Sequence, residues 1–88
     1  MDDIGTAFVA HLNEIMNALG LRNVEVARMI GVSSCSVAGW RKGRIMPDSY
    51  NLAMLCKAFG VSADWMLGIE LEDEEEEEKN KWQKRAML

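Results

Sequence analysis

Few side chains in this sequence can do covalent or metal chemistry. His11 is the only histidine, and the two cysteines, Cys35 and Cys56, are 21 positions apart. That arrangement makes neither a disulfide framework nor a zinc pattern. There is no His–carboxylate pair, no nucleophile with a neighbouring base and no glycine-rich phosphate loop. The sequence therefore predicts no enzyme, no metal and no cofactor. His11 reads as a surface or partly packed residue of the first helix, and Cys56 as a small buried apolar one.

What remains is ionic chemistry, and it is unevenly distributed. The 88 residues carry a formal charge of −4, which alone argues against a polyanionic partner. Residues 1–69 hold Arg22, Arg28, Arg41, Lys42, Arg44 and Lys57 against six acids, a net of zero. Residues 70–88 hold eight acids and four bases, which accounts for the whole deficit. Between 22 and 44 there are five Arg/Lys and one acid, Glu25. A basic stretch inside a neutral body fits phosphate, with the acidity set apart in a tail.

The elements that must position this stretch are helices. Ile4, Phe8, Leu12, Ile15, Met16 and Leu19 recur at three- and four-residue intervals, the mark of one buried helix face, and Gly20 follows as a stop. Asn23 is a candidate cap for a second helix through about Ile30, ended by Gly31. Ser33 caps a third to about Lys42, with Gly43 behind it. Ile45-Met46-Pro47 must be loop, because the residue before proline avoids the helical region. Asp48 caps a fourth helix with Leu52, Leu55, Cys56 and Phe59 on its apolar face, and Ser62 caps a short fifth from Ala63 to Leu67. No period-two alternation or hairpin turn is present. The fold expected is all-α, with five short helices in a single domain over 1–69 and a charged tail, 70–88, either solvated or helical. The longest apolar run is five residues, Leu52 to Cys56, too short to span a bilayer. A cytoplasmic setting follows as the expectation.

Residues 23–42 have the logic of two crossing helices. Ala27 is small where the pair must approach, Gly31 tolerates the turn, and Val37 and Trp40 anchor one face of the second helix. This segment resembles the lambda-repressor-like (Cro/repressor, Xre-type) helix-turn-helix family. The likeness extends through Gly43, Pro47-Asp48 and Leu52-Ala53-Met54-Leu55 to Val61-Ser62-Ala63-Asp64-Trp65-Met66-Leu67, about residues 4–69. It implies a five-helix DNA-binding domain and a transcriptional regulator, a phage-type repressor on a palindromic double-stranded operator, acting as a homodimer. Carried over by position, Asn23 grips a phosphate at the start of the second helix. Ser34, Cys35, Ala38 and Gly39 face the groove, and Ser33 caps their helix and reaches a phosphate. Lys42 and Arg44 flank the Gly43 loop on the DNA backbone. Apart from the resemblance, Trp65 with Met66 and Ile69 reads either as core or as a dimer contact, a place where large aromatics concentrate.

Two departures from the family pattern stand out. Strong base readers are Arg, Gln, Asn and Glu, and the groove-facing set here is small. Specificity would then rest on Ser34, Ser36, Lys42 and the deformability of the DNA. Cys35 reads chiefly as a small groove-facing side chain, with a redox sensor as the lesser reading. The second departure is Arg41, where the family carries an acid paired with a basic residue at the position of Met16. That ion pair is absent, leaving Arg41 for a phosphate, for Glu25 or for the tail. The bare recognition positions and acidic tail also suit a second function on the same fold: a protein-interaction module, such as an anti-repressor or antitoxin working with a second regulatory protein.

Overall fold

The computed structural model of the protein describes residues 3–69; the charged tail 70–88 lies outside the described residues. Within them there are five helices and no strand: α1 (Asp3–Leu19), α2 (Asn23–Ile30), α3 (Ser34–Arg41), α4 (Ser49–Phe59) and α5 (Ala63–Leu67). The order and the approximate bounds are those the sequence predicts.

The core is assembled from one face of each helix. Phe8, Leu12 and Met16 of α1 are fully buried against Val26, Val37, Leu55 and Met66 from the other four, with Ala27, Ile30, Trp40 and Cys56 completing the cluster. Burial of the Cys56 thiol pushes its pKa up, as desolvation of a thiolate requires. The apolar stripe of α1 is shorter than its periodicity suggests. Ile4 and Leu19 are exposed and Ile15 is half-buried. Leu52 and Phe59 of α4 are likewise only half-buried.

Helix ends are set locally. Ser33, Asp48 and Ser62 each accept the backbone N–H three residues on, at 3.1, 2.8 and 3.0 Å, which satisfies a donor that has no partner inside the helix. The cap of α2 differs from expectation. Arg22 is the N-cap and Asn23 is the first helical residue. Glu25 makes this possible by reaching back to accept the Arg22 backbone N–H at 2.8 Å and its Nε at 3.2 Å. Those two bonds, with the charges of Arg22 and Arg28, hold the Glu25 carboxyl below its ordinary pKa, outweighing a small opposing effect of burial.

At the other ends, each helix closes with an amide donating to a carbonyl five residues back: Leu21 to Met16, Val32 to Ala27, Arg44 to Gly39, Val61 to Cys56 and Ile69 to Asp64, all at 2.8–3.0 Å. The closure at Gly68 also fixes where α5 lies. Its φ is +72°, and a Cβ there would stand 2.6 Å from that of Ala7, so only glycine lets the end of α5 approach α1 this closely. His11 seals the same seam, stacking on Trp65 at 4.4 Å between centroids.

Candidate nucleic-acid interface

The α2–turn–α3 unit forms one side of the domain. The turn is Gly31-Val32-Ser33, with Gly31 at φ +76°, and Val26, Ala27 and Ile30 are buried where α2 crosses α3. Val37 (0% exposed) and Trp40 (3%) fasten α3 from within. The opposite face of α3 is more open, with Ser34 and Cys35 exposed, Ala38 and Gly39 half-buried, and Ile45 lying against Gly39.

Two concavities flank that face. One, of about 530 Å³, lies between the start of α2 and α3 and is lined by Arg22, Asn23, Val24, Ser34, Cys35, Ala38 and Arg41, with Leu21 at its edge. The other, of about 340 Å³, lies between α3 and the loop after it and is lined by Cys35, Ala38, Gly39, Lys42, Arg44 and Ile45. No acidic residue lines either. Lys42 and Arg44 are exposed at the end of α3, one on each side of Gly43. The face is thus neutral or cationic throughout, open enough to meet a polyanion without desolvating a carboxylate.

Most residues expected here are brought together: Asn23, Ser34, Cys35, Ala38, Gly39, Lys42 and Arg44 all line the concavities. Ser33 caps α3 as expected, and its hydroxyl lies 3.0 Å from that of Ser36, the one serine placed differently. Ser36 is therefore turned toward the cap and lines neither concavity.

Arg41 corrects the expectation of a free cation. Its Nε donates to Asn13 Oδ1 at 2.6 Å and its Nη1 to Asn23 Oδ1 at 2.7 Å. Asn13 returns a bond through Nδ2 to the Arg41 carbonyl at 3.0 Å, with another to the Val9 carbonyl at 2.9 Å. Three helices meet at this guanidinium. Met16, the position at which the family pattern places the partner, is fully buried in the core, and the partner comes instead from Asn13, one turn earlier. The sequence does hold a signal for this, a polar residue at the border of the α1 apolar stripe. A further consequence falls on Asn23. With Oδ1 committed to Arg41, its Nδ2 hydrogens are left as the donors for anything outside.

Of the candidate dimer residues, Met66 is fully buried in the core and has no surface to offer a partner. Trp65 is half-buried on His11, and Ile69 is 37% exposed. Among the described residues no group of three or more His, Cys, Asp or Glu could hold a metal, and no helix is long and apolar enough to cross a membrane.

A family model described as helix-turn-helix matches residues 12–66. An uncharacterized HTH-type transcriptional regulator of Haemophilus influenzae is 33% identical over 55 residues, 62% of this chain and 23% of that protein. The chain thus spans less than a quarter of the length of that relative. Among solved structures, a transcriptional regulator from Listeria innocua matches with a TM-score of 0.70 at 26% identity, over 92% of this chain and 76% of the other. With the crossing at Ala27, the turn at Gly31 and the inward anchoring of α3 now joined to these likenesses, the chain belongs to the helix-turn-helix family of lambda-repressor-like DNA-binding regulators, which is not an enzyme family.

Proposed function

We propose that this chain is a sequence-specific regulator that lays α3 in the major groove of double-stranded DNA, in the manner of a phage-type repressor closing on a palindromic operator as a homodimer. The observation that carries the reading is the outer face of α3: open, without a carboxylate, and ending in the exposed cations Lys42 and Arg44. Cations at that end neutralise phosphates and release their counterions, which supplies affinity without sequence information. Asn23 Nδ2 at the start of α2 supplies a second phosphate contact on the other side of α3. Two copies joined through Trp65 and Ile69 would present their α3 helices to half-sites about 34 Å apart. The acidic stretch Glu70 to Glu78 competes with phosphate for Lys42 and Arg44, so removing residues 70–88 raises non-specific affinity at low salt.

Binding to duplex DNA over a salt series tests this. Affinity should fall steeply as salt rises, and the double substitution Lys42→Glu with Arg44→Glu should abolish binding while leaving the fold intact. A flat salt response overturns the reading. The small side chains at 34, 35, 38 and 39 favour the second reading, a protein-interaction module. It predicts a partner protein whose binding survives the same double substitution.

A further inference from the structure

The second turn of α3 lacks the long polar side chain that base reading ordinarily uses, and the structure holds something else in its place. Gly39 has no Cβ, and a Cβ built there would lie 3.2 Å from Ile45 Cγ1 and 3.4 Å from Cδ1. The Ile45 side chain, reaching back from the loop after α3, therefore lies across the space that a residue at 39 would use. It does so while 55% exposed, a large aliphatic group held at the surface of a small domain. Together Ile45, Cys35, Ala38 and Gly39 give the 340 Å³ concavity an apolar floor, and Lys42 and Arg44 give it a cationic rim.

An apolar floor with a cationic rim matches one feature of duplex DNA. Along the major groove each base edge offers hydrogen-bond donors and acceptors, and thymine alone adds an apolar group, its C5 methyl. The phosphates that border the groove complement the rim. The same surface is a poor match for guanine or adenine edges, whose donors and acceptors would find no partner on the floor and lose their water.

We propose that Ile45 is a base-reading residue, forming with Cys35 and Ala38 an apolar slot that takes the C5 methyl of a thymine in the major groove. The inference rests on the DNA-binding reading and adds to it the chemical group that is recognised. Specificity here comes from a loop residue folded over a glycine rather than from a long side chain on the helix itself.

The experiment uses the full chain. A bound duplex is selected from random sequence, then resynthesised with each thymine in turn replaced by uracil, which lacks only the C5 methyl. At one position in each half-site, uracil should weaken binding about fourfold, the factor that corresponds to burying a group the size of one CH₂. Ile45→Ala should bind thymine and uracil equally at that position, with the salt dependence of binding unchanged because Lys42 and Arg44 remain. Uracil sensitivity that persists in Ile45→Ala overturns the proposal, as does a selected site that tolerates uracil everywhere or has no fixed thymine. In those cases the wild-type chain still binds DNA and the broader reading stands. A wild-type chain that binds no duplex overturns both.

Discussion

The two faces of α3 obey different constraints. The inner one, Val37 and Trp40, is buried in the core cluster, so its shape is dictated by packing. The outer one, Ser34, Cys35, Ala38 and Gly39, touches little besides Ile45 and is held in place entirely by what happens behind it. One eight-residue helix is thereby rigid on one side and chemically uncommitted on the other. Stability and recognition can be varied almost independently, and substitutions on each face should separate them.

The largest effect should come from the inner face. Trp40→Ala removes the biggest side chain anchoring α3 and should cost about 3–5 kcal/mol. A core of this size supplies little more than that in total, so the variant should be largely unfolded at room temperature by circular dichroism. Asn13→Ala should cost less, about 1–2 kcal/mol in urea unfolding, because it takes the acceptor from Arg41 Nε and the donor from the Arg41 carbonyl. Asn13→Asp, which offers the guanidinium a carboxylate but has no donor for the Val9 and Arg41 carbonyls, should recover only part of that loss. On the outer face, Ala38→Gln should move stability by no more than about 0.5 kcal/mol while shifting the preferred bases in a selection from random duplexes. A large stability change there would break the distinction between the faces.

The smallest effect concerns the cap of α2. The Glu25 carboxyl has a pKa lowered in the folded chain by its bonds to Arg22, so its contribution is present above the ordinary carboxylate range and lost as pH falls through the lowered value. The Tm of Glu25→Gln should therefore lie slightly below that of the wild type at neutral pH, and the two should converge as the solution is acidified.

How much of this could be read in the sequence depended on whether the signal was local. Ser33, Asp48 and Ser62 cap the helices they precede, and a left-handed glycine follows each of the five within two residues, because caps and left-handed turns are decided locally. The anchors Val37 and Trp40 were legible from their spacing, and the Lys42–Arg44 end of the site from its charge. What escaped was tertiary. The Arg41 bonds join residues 28 and 18 positions apart, and no periodicity announces them. Asn23 lost the cap of α2 to Arg22 because Glu25 could reach that backbone amide, a competition between neighbours that propensity alone does not decide. Ile45 read as plain loop, since only the folded chain shows that it crosses Gly39.

The guanidinium at the meeting of α1, α2 and α3 is held on its side chain by two carboxamides, Asn13 and Asn23, and amides do not ionise. A carboxylate in their place, its pKa lowered by the guanidinium, would release its grip only on protonation in strong acid, and would then let the start of α2 drift from α3. Here the spacing between those two elements is insulated from acidity, and the joint survives conditions that would loosen an ion-paired version of it.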